Sequence, residues 1–218
     1  MDTFEAIKTR RSVRAYKSKP VPREILEEVL NISLCAPSFG NIQPWELAIV
    51  GGETLSRLKQ AILDKVNSGT EHYPDLGWPD LSEPYRSRYR DGMIKIYQAL
   101  GIAREDRQRR IEWDLLTSRF FDAPIGIVIY TDKKLGNWAT LDIGIVLQTI
   151  LLAAHSRGLG CCPEAAVVRY PDVVRQVLNI PESKQIIVGI AIGYPDWEQP
   201  INKVVTEREL PENVIHWF

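Results

Sequence analysis

The sequence predicts a single domain that contains both helices and strands. With 218 residues, of which 44% are hydrophobic, the chain is long enough to bury one sizeable core. Segments with apolar residues at helical spacing alternate with short apolar runs of the β-branched type that is typical of strands. No internal repeat or change in composition marks a second domain. We therefore assign residues 1–218 to one domain.

The first half of the chain has helical patterns on both sides of one strand. Asp2 begins a capping-box pattern, which favours a short opening helix. Pro22 suits a first helical position, and the helical spacing behind it continues until Pro37. The pattern of Trp45 to Val50 is that of a strand, and the pattern of Leu55 to Val66 is that of an amphipathic surface helix.

Residues 67–118 form a predicted excursion or lid. Prolines interrupt residues 67–91, where aromatic side chains lie among polar neighbours. A polar helical stretch follows from Gly92 to Ser118, and Gly101 is its weakest point. We expect the aromatic segment to form the roof of a binding site.

The remaining elements lie between residue 124 and the end of the chain. The predicted elements are a strand from Pro124 to Tyr130, a buried helix from Leu141 to Ser156, a strand from Cys161 to Val168, a short helix from Pro171 to Leu178 and a strand from Gln185 to Gly193. Residues 194–218 contain three prolines and little periodicity. This pattern favours an arm that wraps around another surface rather than an additional core element.

The composition excludes several classes of partner. A formal charge of −1 provides no basic face for nucleic acid and no polybasic membrane patch. The three cysteines include the adjacent pair Cys161 and Cys162, which is neither a disulfide framework nor a zinc spacing. The longest apolar stretch, Ile143 to Ala154, is interrupted by Gln148 and Thr149. We therefore predict a cytoplasmic protein without an export signal or a membrane span.

Several catalytic motifs are missing from the sequence. Neither Gly51-Gly52 nor Gly158-Leu-Gly160 continues into the glycine pattern of a dinucleotide-binding fold, so a permanently bound nicotinamide nucleotide is not predicted. The chain has no Walker loop and no nucleophile-elbow serine, and its three histidines lack paired ligand spacing. These absences disfavour metal and acyl-transfer chemistry. His155, inside an apolar helix, is interpreted as a structural histidine.

A cluster of arginines is the strongest local signal. The segment Arg10-Arg11-Ser12-Val13-Arg14 places three guanidinium groups and one hydroxyl within five residues. Planar guanidinium groups form paired, charge-assisted hydrogen bonds with phosphate, and a serine hydroxyl adds another. Taken alone, the cluster is also compatible with an ordinary solvated surface.

A polar loop between a predicted helix and a strand is the second signal. It runs from Ala36 to Trp45 and contains Ser38, Asn41 and Gln43. By themselves these residues are compatible with an ordinary turn, because serine, asparagine and glycine satisfy loop backbone without any ligand.

Together the two segments are far more specific. They resemble the nitroreductase family of FMN enzymes, whose members begin with an Arg-Arg-Ser-x-Arg element and continue with a Pro-Ser-x-x-Asn-x-Gln-Pro-Trp loop. The segment from Gly158 to Ala166 looks like the turn beneath the flavin ring in that family. The resemblance therefore covers nearly the whole chain.

The resemblance implies which residues hold FMN. The implied contacts are phosphate, ribityl and ring-edge contacts from Arg10, Arg11, Ser12 and Arg14, contacts to the partner subunit's flavin from Pro37, Ser38 and Asn41, backbone contacts to the N5 region from Pro163, Glu164 and Ala165, and a C-terminal phosphate contact from Arg208. Some relatives have a second basic residue two places before that arginine, where this chain has Thr206.

The resemblance also implies a fold and a reaction. The fold would be an α+β structure with a central mixed β-sheet packed by helices, in an intertwined homodimer whose C-terminal extension wraps the partner and whose active sites are shared. FMN would carry the chemistry, with no catalytic side chain. NADH or NADPH would bind transiently and deliver hydride, and small flat electron-poor compounds such as nitroaromatics or quinones would then be reduced in a ping-pong scheme.

Two kinds of alternative remain open. One is another reaction on the same fold, such as reductive dehalogenation, enone reduction or flavin breakdown. The other is a flavin-binding or flavin-storage protein with incidental reductase activity. Only the lid region, residues 67–118, could distinguish between the reactions on this fold, and we assign no substrate contact there. Outside the motifs, the side chains that could approach the flavin are Gln148, Trp113, Phe120 and Phe121.

Overall fold

A four-stranded antiparallel sheet lies between two layers of helices in the computed structural model, which describes residues 1–218. Its strands are β1 (Glu46–Gly51), β2 (Ile125–Asp132), β3 (Gly160–Glu164) and β4 (Lys184–Gly193), in the order β1-β2-β4-β3. The α+β class is therefore confirmed. The strands themselves are not mixed in direction: the only parallel pairing is a single bridge between Ser12 and Cys161, because residues 10–14 run beside β3 without extending into a strand.

Eight α-helices surround the sheet. They are α1 (Thr3–Thr9), α2 (Arg23–Ser33), α3 (Gly52–Asn67), α4 (Tyr85–Ala99), α5 (Arg107–Thr117), α6 (Gly136–Ser156), α7 (Pro171–Leu178) and α8 (Pro211–Val214). The predicted capping of α1 is confirmed, since the Asp2 carboxylate accepts a hydrogen bond from the Glu5 backbone at 3.0 Å.

Alternating side chains of the central strands build two cores. Ile127 and Ile129 of β2 point into a core shared with α2 and α6. Val128, between them, points to the opposite face and packs with α3, α5 and α7. The sheet is thus covered on both faces. Its β3 edge is flanked by the arginine segment, residues 10–14.

Three element boundaries differ from the predicted ones. The strand that begins near Cys161 ends at Glu164, and a 3₁₀ turn follows at Ala166–Val168. The valines of this turn look strand-like because they are buried, but Val167 instead fills the space above Gly189, where an added Cβ would lie 2.0 Å from a Val167 methyl group. Helix α2 ends at Ser33, four residues before Pro37. Helix α6 begins at Gly136, before its apolar pattern is visible.

The predicted excursion divides into two parts. Residues 67–84 lie against α7 and β4, where the Asp75 carboxylate pairs with Arg175 and accepts the Ile186 N–H at 2.8 Å. This part therefore does not form the roof that its aromatic residues suggested. The second part is helical from Tyr85, since Pro84 precedes the helix instead of interrupting it. The helical pattern is interrupted at Gly101 (φ 63°), which lies between α4 and α5.

Helix α6 also has the length and composition of a membrane-spanning helix. The segment Lys133–Ser156 has 24 residues and contains an 18-residue window with a mean hydropathy of 1.4. One such helix is weak evidence of a span, since core helices have the same composition. Here its buried face, which includes Ile143, Val146 and Ile150, packs on the sheet and on α2.

Candidate functional site

The arginine segment lies in extended conformation along β3. Val13 donates its backbone N–H to the Cys161 carbonyl at 2.9 Å, and Ser12 forms a parallel bridge with Cys161. Gly160 permits this close approach, because an added Cβ would lie 2.5 Å from a Val13 methyl group. The sheet edge therefore fixes the backbone that carries Arg10, Arg11, Ser12 and Arg14.

Two arginines of the site, Arg10 and Arg208, influence each other electrostatically, and neither has an acidic partner. The Nε atom of Arg10 is buried and has no hydrogen-bond partner. Burial, together with the nearby Arg208 guanidinium, lowers the pKa of Arg10. An unpaired cation beside a second cation is unfavourable in the isolated chain, and a bound anion would relieve it.

Several arginines elsewhere in the chain form ion pairs with carboxylates. They are Arg23, Arg88, Arg119, Arg157, Arg169 and Arg175. Arg10 and Arg14 have no ion pair, and Arg11 instead lies 5.7 Å from the ring centroid of Trp197. The segment that the sequence assigned to phosphate binding therefore carries positive charge without a carboxylate partner.

Arg208, in the C-terminal segment, lies between two acidic residues that form ion pairs with α4. Glu207 pairs with Lys95 of α4 at 2.5 Å, and Glu209 pairs with Arg88 of the same helix. Arg208 donates to the Thr206 hydroxyl at 2.8 Å and forms no ion pair. Thr206, where some relatives have a second basic residue, therefore orients the arginine in this chain.

Asn202 is a positioning residue that the sequence analysis missed. Its side chain is fully buried, accepts the Arg14 N–H at 2.7 Å and donates to the Ala15 carbonyl at 2.7 Å. It therefore joins the C-terminal segment to the end of the arginine segment. No local pattern identifies it, because its partners lie 187 and 188 residues away in the sequence.

The turn at Pro163–Ala165 lines a cavity of about 380 Å³ together with Arg14. The other side chains that line it belong mainly to α4, α5 and the turn after β3: Tyr89, Met93, Ile96, Tyr97, Arg110, Trp113, Asp114, Thr117, Phe121, Cys162, Ala166 and Arg169. The backbone N–H of Ala165 donates to no group of the chain. The cavity thus combines aromatic walls, a cationic group and a free backbone donor.

Glu164 is a buried carboxyl group at this cavity. The residue is 4% exposed, and neither carboxyl oxygen has a hydrogen-bond partner. Burial raises the pKa of Glu164 well above its ordinary value, although Arg14 and Lys59 partly oppose the shift. Burial likewise raises the pKa of the Cys162 thiol to about 12, so this thiol is not a nucleophile at neutral pH.

The Pro37–Asn41 loop is held in an unusual conformation away from this cavity. Asn41 and Gln43 have positive φ angles of 59° and 48°. The buried Asp142 of α6, a second residue that the sequence analysis missed, accepts the Phe39 N–H with both carboxylate oxygens at 3.1 Å. Trp138 stacks on Phe39 with ring centroids 5.2 Å apart.

The structure divides the predicted residues among separate cavities, and Arg208 lines one of its own with Arg88 and Lys95. Arg10 and Arg11 line one small cavity with Cys161, while Arg14 and Pro163–Ala165 line the larger one. Pro37, Ser38 and Asn41 line neither. Of the other candidates, Trp113 and Phe121 line the larger cavity, Phe120 is fully buried in the core, and Gln148 is exposed on α6.

The residues of the site fit FMN. Arg10 and Arg208 provide a cationic pair without a carboxylate, which suits a phosphate dianion. The neighbouring cavity has aromatic side chains and an unsatisfied Ala165 N–H, which suit a flat ring with polar edges.

Comparisons with known proteins agree with this geometry. A family model described as "Nitroreductase family" matches residues 7–194. The chain is 32% identical to a 4-nitrobenzoate reductase of Pseudomonas putida, over 100% of this chain and 96% of that protein. It is 33% identical to a nitrobenzene nitroreductase of Ectopseudomonas oleovorans, over 95% and 93%.

A solved structure agrees over the same length. The crystal structure of the FMN and NADPH-dependent nitroreductase NfnB from sphigopyxis sp. strain HMH is 32% identical to this chain, with a TM-score of 0.97 over 100% of this chain and 99% of that one. The nitroreductase-like fold that the resemblance implied is therefore confirmed.

Replacing Glu164 by Gln should change how stability depends on pH. Because its pKa is raised in the folded state, Glu164 lowers the free energy of unfolding progressively as pH rises from the pKa of an unfolded glutamate through the folded pKa. Gln does not titrate, so the stability of Glu164→Gln relative to the unmodified protein should increase from pH 5 to pH 8. Urea unfolding of the ligand-free proteins measures this difference.

Glu53→Gln is the matched control, because Glu53 is exposed at the start of α3. Its effect on the free energy of unfolding should be small and nearly constant over the same range. A Glu164→Gln effect that is equally constant would show that Glu164 is ionised in the folded protein.

Proposed function

This chain belongs to the nitroreductase family, and we propose that it is an FMN-dependent oxidoreductase that takes hydride from NADH or NADPH and reduces nitroaromatic compounds, quinones or similar flat, electron-poor molecules. The observation that carries the proposal is the unpaired Arg10–Arg208 pair beside a cavity lined by Arg14 and the Pro163–Ala165 turn. A phosphate-bearing ring compound is the ligand that suits both parts.

The residues that would hold FMN fall into three groups. Arg10, Arg11, Ser12 and Arg208 would bind the phosphate and ribityl chain, Arg14 and the backbone of Pro163–Ala165 would meet the ring, and Pro37, Ser38 and Asn41 would reach the flavin of the partner subunit. When bound, FMN would supply the two-electron redox chemistry that no side chain of the chain provides.

The protein's own contribution is orientation and electrostatics. Arg14, whose backbone Asn202 holds, places positive charge where negative charge would develop on a reduced ring. The N–H of Ala165 adds an oriented dipole. Burial raises the pKa of Glu164, which favours the neutral carboxyl group over a negative charge that would oppose them.

The nicotinamide donor would be a visitor to the same cavity. The chain lacks the glycine pattern that holds a dinucleotide permanently, and the cavity beside Arg14 is lined by α4 and α5. Donor and acceptor would therefore occupy one space in turn, which is a ping-pong order. The named relatives act on nitrobenzoate and on nitrobenzene, so they support nitroaromatic acceptors as a class.

Under anaerobic conditions, FMN-loaded protein should oxidise about one equivalent of NADPH or NADH per FMN without an acceptor, and should turn over continuously only when a nitroarene or quinone is present. Double-reciprocal plots at several acceptor concentrations should give parallel lines, because donor and acceptor never bind together. Absorbance at the nicotinamide band measures the rate. FMN binding without acceptor-dependent oxidation of either nucleotide would instead indicate a flavin-binding protein, and intersecting lines would exclude the ping-pong order.

The active protein should be a homodimer with two shared sites. Apolar side chains are exposed near the Pro37–Asn41 loop and at the end of the chain, including Phe39, Trp138, Leu141 and Trp217. In particular, residues 210–218 have few neighbours in the single chain, and Trp217 is 92% exposed. A partner subunit would cover both surfaces and would bring the loop to the opposite flavin.

Complementation between inactive variants tests the shared site. The first variant would carry Arg10→Gln with Arg208→Gln, and the second would carry Ser38→Ala with Asn41→Ala. Co-expressed hybrids would contain one undamaged site, so the mixture should recover about one quarter of full activity if chains pair at random.

A matched mixture contains the single variants Arg10→Gln and Arg208→Gln. Both residues belong to the phosphate site of one chain, so no hybrid site would be intact and no recovery is expected. Absence of recovery in the first mixture, or equal recovery in both, would contradict the assignment of the loop to the partner's site.

A further inference from the structure

One charged side chain of the larger cavity is not used by the proposed function. Arg110 of α5 lines the cavity together with Met93 and Tyr97 of α4. Its Nε atom is buried and has no hydrogen-bond partner, and its guanidinium forms no ion pair. A buried cationic donor without an acceptor is costly, so a ligand that supplies the acceptor would remove this cost.

A second cavity adjoins the first on the other side of the same residues. It has a volume of about 610 Å³, shares Met93, Tyr97 and Arg110 with the first, and adds Arg90 and Arg104. No acidic residue lines it. The region outside the cofactor turn therefore has positive charge and an apolar wall, which suits a ligand with an aromatic body and an anionic group.

The neighbouring arginine shows that Arg110 is a special position. Arg109 donates to the Leu100 carbonyl at 2.6 Å and to the Gly101 carbonyl at 2.7 Å, and it thereby joins α5 to the end of α4. Arg110, one residue later, points instead toward the Tyr97 ring, with its guanidinium carbon 4.8 Å from the ring centroid. The Arg110 guanidinium therefore lies over an aromatic face of the cavity wall.

The two acidic residues that line the cavity of about 380 Å³, Asp114 and Glu164, do not pair with Arg110. Asp114 accepts two hydrogen bonds from Arg169, at 2.7 and 2.9 Å. Neither carboxyl oxygen of Glu164 has a hydrogen-bond partner, so Glu164 does not pair with Arg110 either. No acid that lines the cavity pairs with Arg110, and a ligand would supply the missing acceptor.

We propose that Arg110 binds the carboxylate of an aromatic substrate, so that this enzyme prefers nitroaromatic carboxylates to neutral nitroarenes. This inference rests on the proposed function and adds the substrate class. A guanidinium fork matches the two oxygens of a carboxylate, while Tyr89, Tyr97 and Trp113 provide flat surfaces for the ring.

The same anionic chemistry has a second source, the phosphate groups of the nicotinamide nucleotide. The buried Nε of Arg110 lies within the apolar wall beside Tyr97 and Met93, which suits a compact carboxylate on an aromatic ring better than a long hydrated dinucleotide tail. Separate kinetic measurements with substrate and nucleotide distinguish the two sources.

The kinetic test compares 4-nitrobenzoate with nitrobenzene in FMN-loaded protein. Arg110→Gln should raise KM for 4-nitrobenzoate about 10- to 100-fold, the range expected for loss of a charge-assisted hydrogen bond. KM for nitrobenzene and for NADPH should change less than about threefold. Arg107→Gln is the matched control, because Arg107 carries the same charge one turn earlier on α5, is exposed and lines neither cavity.

Calorimetric titration with benzoate and benzamide gives a readout that needs no turnover. Wild-type protein should bind benzoate more tightly than its neutral analogue benzamide, and only Arg110→Gln should abolish the preference. Equal affinity for both ligands in the wild type, equal losses of activity on both nitro compounds, or a rise in KM for NADPH alone would each overturn the proposal.

The two proposals can fail separately. If the wild type reduces nitrobenzene and 4-nitrobenzoate alike and Arg110→Gln leaves both unchanged, the reductase function stands and the Arg110 assignment is wrong. If no nitroarene is reduced but benzoate binding depends on Arg110, the anion site stands and the proposed reaction is wrong.

Discussion

Uncompensated positive charge at the edge of the sheet is the constraint on which the site depends. Arg10, Arg14 and Arg208 lack carboxylate partners, whereas the acids on either side of Arg208, Glu207 and Glu209, are paired with Lys95 and Arg88. The backbone that carries Arg10 and Arg14 is fixed by its pairing with β3 and by the buried Asn202. A phosphate dianion resolves this repulsion, and the fold thereby couples cofactor binding to stability.

Unpaired positive charge also occurs where a substrate would bind. Lys95 and Arg88 of α4 neutralise the acids beside Arg208, while α5 supplies Arg110 to the cavity. The two helices of the excursion therefore have different electrostatic roles. Helix α4 pairs with the acids beside Arg208, so Arg208 would be free to bind a phosphate. Helix α5 provides the unpaired Arg110, where the carboxylate of a substrate would bind.

Local patterns were sufficient for most of the fold and for the cationic segment. The capping of α1, helix α7 and the strand cores follow from spacing alone, and Arg10–Arg14 stands out because three arginines are adjacent. Asn202 and Asp142 could not be predicted, since their hydrogen bonds join residues more than one hundred positions apart. Residues 67–84 were expected to belong to the roof, but the Asp75–Arg175 pair that holds them against α7 has no local signature; Tyr89, from the same aromatic segment, does line the cavity.

Relative affinity for FMN and riboflavin tests the central claim most directly, because the two ligands differ only by the phosphate. If Arg10 and Arg208 await a phosphate, the wild-type protein should bind FMN at least about 100-fold more tightly than riboflavin. The variant with Arg10→Gln and Arg208→Gln should bind both weakly and alike. Equal affinity for the two flavins in the wild type, or an unchanged preference in the variant, would contradict the account.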